Sequence, residues 1–259
     1  MSIKIAILVK QVPDHEALIE VKSEEELDIE NRYVCSFFDE IAIETGLNIK
    51  KTSPDTELMA LSAGGRRAVE ALRRAVAMGV DKVEHIGDES LDEADSFTVA
   101  SALAARLRIL EPDIILCGKQ AGDDDQAAVG PMVAELCGMS FACAVVSLEP
   151  DSGNSLVRVE RKLEGDTQAL EAKFPVLLSA EKGLAEPHVP VVTRVMKAMK
   201  AKIENFPLAD LDVSGQNVIG RRRLRFHPPP ERPPVTMVED IDALVDKLQQ
   251  AGFAAQGEG

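Results

Sequence analysis

A chain of 259 residues with 45% hydrophobic and 28% charged side chains is long enough to bury a large core and reads as an ordinary globular protein. Its net charge of -15 excludes the basic face that a nucleic-acid binder needs, and no Trp with a single Tyr leaves little aromatic surface for stacking on bases. No secretory or transit pattern and no apolar run of about 18 residues is present, so no membrane span and a cytoplasmic location are expected.

Ile3 to Val9 is expected to form a first buried strand, because Ile3, Ile5, Ala6, Ile7, Leu8 and Val9 leave little polar surface. Residues 12–34, rich in Glu and Asp, read as irregular or hairpin-like. A helix is expected over about 37–50, with Phe38, Ile41, Ala42, Thr45 and Ile49 on one stripe. Glu57 to Ser62 reads as a second strand that ends at Ala63-Gly64-Gly65, and a helix carrying Val69, Leu72 and Val76 stops at Gly79. Lys82 to Ile86 is the third expected strand, and Phe97, Ala100, Leu103, Ala104 and Leu107 mark the next helix. Asp113 to Leu116 is the fourth strand, followed by an amphipathic stretch with Val129, Met132, Val133 and Leu136 on one face. Strands alternating with helices over residues 1–140 indicate an α/β fold with a mainly parallel sheet.

The pattern then changes. Residues 144–148, 156–163, 168–172 and 176–180 read as strands, the middle two as a hairpin turning at Glu164-Gly165-Asp166. A Pro-marked loop, Glu186-Pro187-His188-Val189-Pro190, precedes a helix with Val192, Val195, Met196 and Met199. Residues 205–236 lack periodicity and hold Pro228-Pro229-Pro230 and Pro233-Pro234, which suits an extended arm. A last amphipathic helix carries Ile241, Leu244, Val245 and Leu248, and its apolar face must bury on a partner or on its own domain. The basic cluster Arg221-Arg222-Arg223-Leu224-Arg225 reads as a solvated arm or as a dock for an acidic partner.

In an open parallel sheet, ligands sit at the carboxyl ends of the strands. Those ends are Val9-Lys10, Ala63-Gly64-Gly65 and the run Gly118-Lys119-Gln120-Ala121-Gly122-Asp123-Asp124-Asp125. The last lies between a strand and a helix, so its backbone N–H groups and the helix dipole can cradle a phosphate. Acidic residues at a helix start also serve as caps, and both readings remain open from the pattern. No GxGxxG follows the first strand and no GxxxxGK[ST] occurs, which excludes a standard dinucleotide dehydrogenase or P-loop enzyme. No GxSxG elbow occurs, and His15, His85, His188 and His227 are scattered and read as surface residues. Cys35, Cys117, Cys137 and Cys143 lack CxxC spacing and read as small buried apolar residues. Asp123-Asp124 has no second acidic cluster to complete a magnesium site, so neither a catalytic nor a metal set is assigned.

One segment is more specific. Val159-Glu160-Arg161-Lys162-Leu163-Glu164-Gly165-Asp166-Thr167-Gln168-Ala169-Leu170, then Phe174-Pro175-Val176-Leu177-Leu178-Ser179, resembles the signature of the electron transfer flavoprotein (ETF) β subunit. Arg161, Glu164-Gly165-Asp166, Gln168, Leu170, Pro175 and Leu177-Leu178-Ser179 carry the match. The resemblance extends through Val9-Lys10-Gln11-Val12-Pro13-Asp14, Glu40-Ile41-Ala42, Ala77-Met78-Gly79-Val80-Asp81, Glu186-Pro187, Met196-Lys197-Ala198 and Glu239-Asp240. It implies a three-layer, open, mainly parallel sheet with helices on both faces, of the adenine-nucleotide-hydrolase-like kind. Residues 1–204 would form the nucleotide-binding domain, with a recognition loop at 180–202. Residues 205–259 would form an arm and helix packing on an α subunit.

The resemblance further implies an electron carrier and not an enzyme: a heterodimer with FAD held mainly by α, shuttling electrons from acyl-CoA-type or other dehydrogenases to an ETF-quinone oxidoreductase type acceptor. The β pocket would hold structural AMP or, in bifurcating relatives, a second FAD. It would use Val9, Ser36, Phe37, Phe38, Asp39, Ala63, Gly118, Lys119, Gln120, Ala121, Gly122, Asp123, Asp124, Asp125, Gln126, Ala127, Ala128 and Val129. Docking would use Glu186, Pro187, His188, Val192 and Met196. The Asp run resembles the AMP-binding group and Ala128-Val129-Gly130-Pro131 the bifurcating one; AMP is favoured. Two departures stand out: the family's usual Asn-Glu-Pro-Arg is Ala185-Glu186-Pro187-His188, and Lys162 replaces an acidic residue. From other classes, a stand-alone adenine-nucleotide-binding stress-type module would share the pocket without needing residues 205–259. An ATP-pyrophosphatase type would need a Ser-Gly-Gly loop that Lys10-Gln11-Val12-Pro13 does not supply.

Overall fold

The structure, a computed structural model, describes residues 2–213 and 224–253. Strand β1 (Lys4–Leu8) is buried from Ile5 onward, as expected for a strand covered on both faces. Two small two-stranded sheets follow, β2 (Gln11–Pro13) with β5 (Tyr33–Cys35) and β3 (Ile19–Val21) with β4 (Leu27–Ile29). Helix α1 (Phe37–Thr52) has Asp39 and Glu40 in its first turn and Lys50 and Lys51 in its last, both favourable to the helix dipole. After β6 (Glu57–Gly64), helix α2 (Val69–Met78) ends at Gly79, whose φ of 129° suits a residue without a Cβ. Then come β7 (Lys82–Gly87), α3 (Ser96–Leu110), β8 (Ile114–Gly118) and α4 (Val129–Cys137). Strands β9 (Ser140–Asp151), β10 (Leu156–Lys162), β11 (Thr167–Lys173) and β12 (Val176–Ala180) complete the middle of the chain, and α5 (Val192–Met199), β13 (Glu204–Pro207) and α6 (Ile241–Gln250) follow.

Nine strands form one sheet in the order β11-β10-β9-β12-β8-β1-β6-β7-β13. The pairs from β9 to β13 are parallel; β10 runs antiparallel to both β9 and β11, forming the expected hairpin. Side chains of β1 alternate between two cores. Ile5 and Ile7 pack with Ile41 and Ile43 of α1 and Leu72 and Met78 of α2. Ala6 and Leu8 pack with Leu103 and Leu107 of α3 and Val133 of α4. Three layers result, with α1 and α2 on one face and α3 and α4 on the other. Each fully buried Ile or Leu contributes about 1.5–3 kcal/mol.

The chain leaves β1 for its neighbour β6 on one side, and later returns through α3 to β8 on the other. The β1–β8 junction is therefore a topological switch point, where the outgoing connections diverge and open a crevice.

Residues 205–207, placed by sequence in the arm, instead extend the sheet with Glu204 as β13 beside β7. Arg106 explains it. Its Nε and Nη2 donate to Glu84 of β7 at 2.7 and 2.9 Å, and its guanidinium lies 3.8 Å from the centroid of the Phe206 ring. Buried Leu211 then packs on the α3–α4 core. The apolar face of α6 is uncovered by the described residues: Ile241, Leu244, Val245 and Leu248 are all exposed. Arg221, Arg222 and Arg223 lie outside the described residues. No described helix is long and apolar enough to cross a membrane.

Arg106→Ala should destabilise the chain by about 3 kcal/mol in urea unfolding, because it leaves the buried Glu84 carboxylate alone and frees Phe206. A loss below about 0.5 kcal/mol, the level of an ordinary surface change, would show the pair to be incidental.

Candidate functional site

At the switch point one carboxylate joins three elements. Asp39, in the first turn of α1, accepts from the backbone N–H of Lys10 through Oδ2 and of Gly118 through Oδ1, both at 2.8 Å. These N–H groups lie just past β1 and at the end of β8, where no ladder partner satisfies them. Gly118 permits the approach. A Cβ there would come within 2.4 Å of Asp39 Oδ1 and 2.8 Å of Phe38 Cβ. The glycine thus serves the closeness of α1.

Asp39 is buried. Burial pushes its carboxyl up to about 7; the two backbone N–H groups and the charge of Lys10 pull it down, and Asp123 pushes it up. Burial likewise raises the thiols of Cys117 and Cys35, so neither neighbour is poised as a nucleophile.

The loop between β8 and α4 resolves the question of the three aspartates. Helix α4 begins at Val129 behind Ala128, and no side chain caps it. Asp123 and Asp124 instead both take Lys10 Nζ, at 2.8 and 3.2 Å. Asp124 also accepts from Gln126 N–H at 3.2 Å, and Asp125 from Gln120 Nε2 at 2.8 Å. Asp125 and Ala127 have φ near 50°, the left-handed region, so the loop is folded tightly upon itself. Ser96 Oγ contacts Gln126 Oε1 at 3.1 Å, and Lys119 Nζ reaches Glu181 at 2.7 Å. The loop is thereby fastened to β1, to α3 and to the end of β12, with its carboxylates engaged. Lys10, named by sequence only as a strand end and not among the pocket residues, is its main fastening.

Val9 and Ser36 are buried, and Ala63 lies near the end of β6. Ser36 N–H donates to Lys10 O at 2.9 Å, which draws Ser36, Phe37, Phe38 and Asp39 against the β1 end. Together with Gly118 to Val129 they line one edge of the sheet. Ser36 Oγ and Ser62 Oγ are buried there with no hydrogen-bond partner among the described residues. Orphaned hydroxyls beside a crevice fit a ligand carrying ring nitrogens and hydroxyls. The donor set therefore suits a nucleotide. No group of His, Cys, Asp and Glu among the described residues could hold a metal ion.

A second region lies beyond β12. His188 Nδ1 meets Glu44 Oε2 at 2.5 Å, and Lys51 Nζ meets Glu44 Oε1 at 3.3 Å. Glu44 is buried within α1. Burial alone would raise its carboxyl, but His188 and Lys51 more than offset this and hold it below the usual range. This residue was missed in the sequence, where its one signal is a charge between the buried Ile43 and Thr45. Arg194 donates to Met78 O at 3.2 Å and Ala198 is buried, so α5 is seated on α2. Val189, Val192, Met196 and Met199 stay exposed on that seated support. Two expectations need correction. His85 is buried, not on the surface, because its Nε2 finds Gly64 O at 2.9 Å. Of the four cysteines, Cys35 and Cys117 are buried, Cys137 is half-buried and Cys143 is exposed.

Comparisons with known proteins agree with this architecture. A family model described as electron transfer flavoprotein domain matches residues 29–211. The mitochondrial ETF subunit β of Arabidopsis thaliana is 31% identical over 95% of this chain and 97% of its own length. The Bacillus subtilis ETF subunit β is 31% identical over 86% and 87%, and the human one 30% identical over 96% and 98%.

The Asp39 carboxyl gives a prediction with a definite sign. The unfolded chain releases this proton near pH 4, whereas the folded chain holds it to about pH 7. The native state therefore binds the extra proton between those values, and stability falls as pH rises through them. Asp39→Asn has no such proton. Its stability relative to the wild type should rise from pH 5 to pH 8 by an amount of the order of 2 kcal/mol. Parallel pH profiles in chemical denaturation would refute the assignment.

Proposed function

Since the chain belongs to the family of ETF β subunits, we propose that it serves as the nucleotide-binding and docking half of a heterodimeric electron carrier. The single observation that carries this reading is the Asp39 bridge between the ends of β1 and β8, at the switch point where α/β sheets take their ligands. The crevice would hold AMP as a structural ligand, between the Ser36–Asp39 turn and the Gly118–Val129 loop. The loop is tied to Lys10 across the strand ends, and a fastened loop suits the smaller of the two family ligands. A second FAD in this crevice, as in bifurcating relatives, is the competing reading, supported by Ala128-Val129-Gly130-Pro131.

The redox chemistry would come from FAD held mainly by the α subunit, with protein groups supplying position and electrostatics. This chain's own residues would bind and orient. The uncovered face of α6 offers Ile241, Leu244, Val245 and Leu248 to the α subunit. The exposed Val192 and Met196 offer an apolar contact to dehydrogenases, on a loop that Glu44 and His188 hold to α1. Electrons would pass onward to an ETF-quinone oxidoreductase type acceptor.

Co-expression with an α subunit, followed by denaturation and cofactor counting, separates the readings. AMP with a single flavin per heterodimer is expected; a second flavin in place of AMP would favour the bifurcating reading, and a colourless complex would contradict both. Val192→Ala, or removal of residues 186–196, should slow electron uptake from a partner dehydrogenase and leave flavin content intact. Loss of flavin in the Val192→Ala complex would give the loop a structural role instead.

A further inference from the structure

A separate cavity of about 450 Å³ lies at the far end of the sheet, and nothing described so far uses it. It is lined by Arg66 and Arg73, by His85 and Gly87 at the end of β7, and by Asn205 of β13. We propose that this cavity binds a phosphate-class oxyanion.

Three observations converge. Arg73 Nε is buried and has no hydrogen-bond partner among the described residues. Its Nη1 lies 3.4 Å from Glu70 Oε1, an exposed contact within α2, so the guanidinium is only partly engaged and keeps donors for an acceptor at the cavity. Its neighbour Arg66 makes no ion pair among the described residues, so a second planar fork of donors is available at the rim. His85 gives the third. Its Nε2 faces a carbonyl, Gly64 O, at 2.9 Å and must therefore donate. That leaves Nδ1 as the ring's second hydrogen-bonding position, beside the cavity wall at Gly87. Val69, the first residue of α2, also lines the cavity, so the positive end of that helix's dipole lies there.

The two carboxylates at the cavity are already engaged. Asp88 Oδ1 accepts from Ser90 N–H at 2.9 Å and from Ser90 Oγ at 2.6 Å. Glu89 Oε1 accepts from the Arg66 backbone N–H at 3.1 Å. They offset part of the positive charge, and a tetrahedral oxyanion, with several acceptor oxygens, can match two planar forks of donors bidentately, where a halide can offer only a single centre. The Asn205 side chain covers Gly87, where a Cβ would come within 2.2 Å of Asn205 Oδ1, so edge strand β13 closes this wall. The cavity therefore exists only because residues 204–207 join the sheet.

The test is a calorimetric titration of the full chain with inorganic phosphate at low ionic strength. Saturable binding is expected, weakened about tenfold or more in Arg66→Ala and in Arg73→Gln. Arg66 is exposed, so its variant keeps the fold and isolates the binding effect. Arg67→Ala removes an adjacent exposed charge that stacks on Tyr33 outside the cavity, and should leave affinity unchanged. Absence of saturable binding by the wild type, an equal response to chloride at matched ionic strength, or equal weakening in all three variants would overturn the proposal.

Discussion

Everything at the ligand edge of this sheet depends on one carboxylate placed between two strand ends. A switch point pulls two neighbouring strands' connections in opposite directions, so the backbone N–H groups just beyond them lose their ladder partners. Asp39 supplies acceptors to both, from a buried position at the start of α1. The cost is an ionisable group out of water, and it shows as a carboxyl pushed up to about 7. The return is a fixed spacing between β1, β8 and α1. Gly118 is part of the same constraint, since any Cβ would fill the space Asp39 occupies. Lys10 then carries the geometry outward, because its backbone is held by Asp39 while its side chain holds Asp123 and Asp124.

Much of the architecture was legible in the sequence, for a physical reason. The central strands are buried on both faces, so stretches such as Lys4–Leu8 and Ile114–Gly118 must be almost continuously apolar, and the helices between them carry single apolar stripes. The hairpin of β10 and β11 announced itself through Glu164-Gly165-Asp166. What stayed hidden was long-range. Glu204–Pro207 looks like arm because it is polar and contains proline, and it becomes a strand through Arg106, about a hundred residues earlier. His85 looks like a surface histidine until a carbonyl across the neighbouring strand accepts its proton. The aspartates after Gly122 read equally as helix caps or as part of a phosphate cradle, and the partner of Asp123 and Asp124, Lys10, lies 113 and 114 residues away. No local pattern encodes such pairs. The family signature proposes a ligand edge and a docking loop, and the contacts that hold those segments are long-range ones no local pattern carries.

The docking side has its own logic. An apolar patch exposed on a helix is costly in water, and it persists here on a support that cannot easily fold it away. Arg194 and Ala198 fix α5 to α2, and the His188–Glu44–Lys51 cluster ties the loop to α1, the helix that also carries Asp39. One helix thus holds the β1 and β8 ends at its first turn and the His188 loop further along. His188 satisfies the buried Glu44 carboxylate there. The uncovered face of α6 leaves a second exposed apolar surface among the described residues.

The central claim is that the Asp39 bridge shapes a crevice that holds an adenylate. Acid release and chromatographic quantification of nucleotide from the purified α–β complex, for the wild type and for Asp39→Asn, test it most directly. The account predicts stoichiometric AMP in the wild type and its loss from the variant, with the helical circular dichroism of both unchanged. Equal adenylate retention in the two complexes, or none in the wild type, would contradict it.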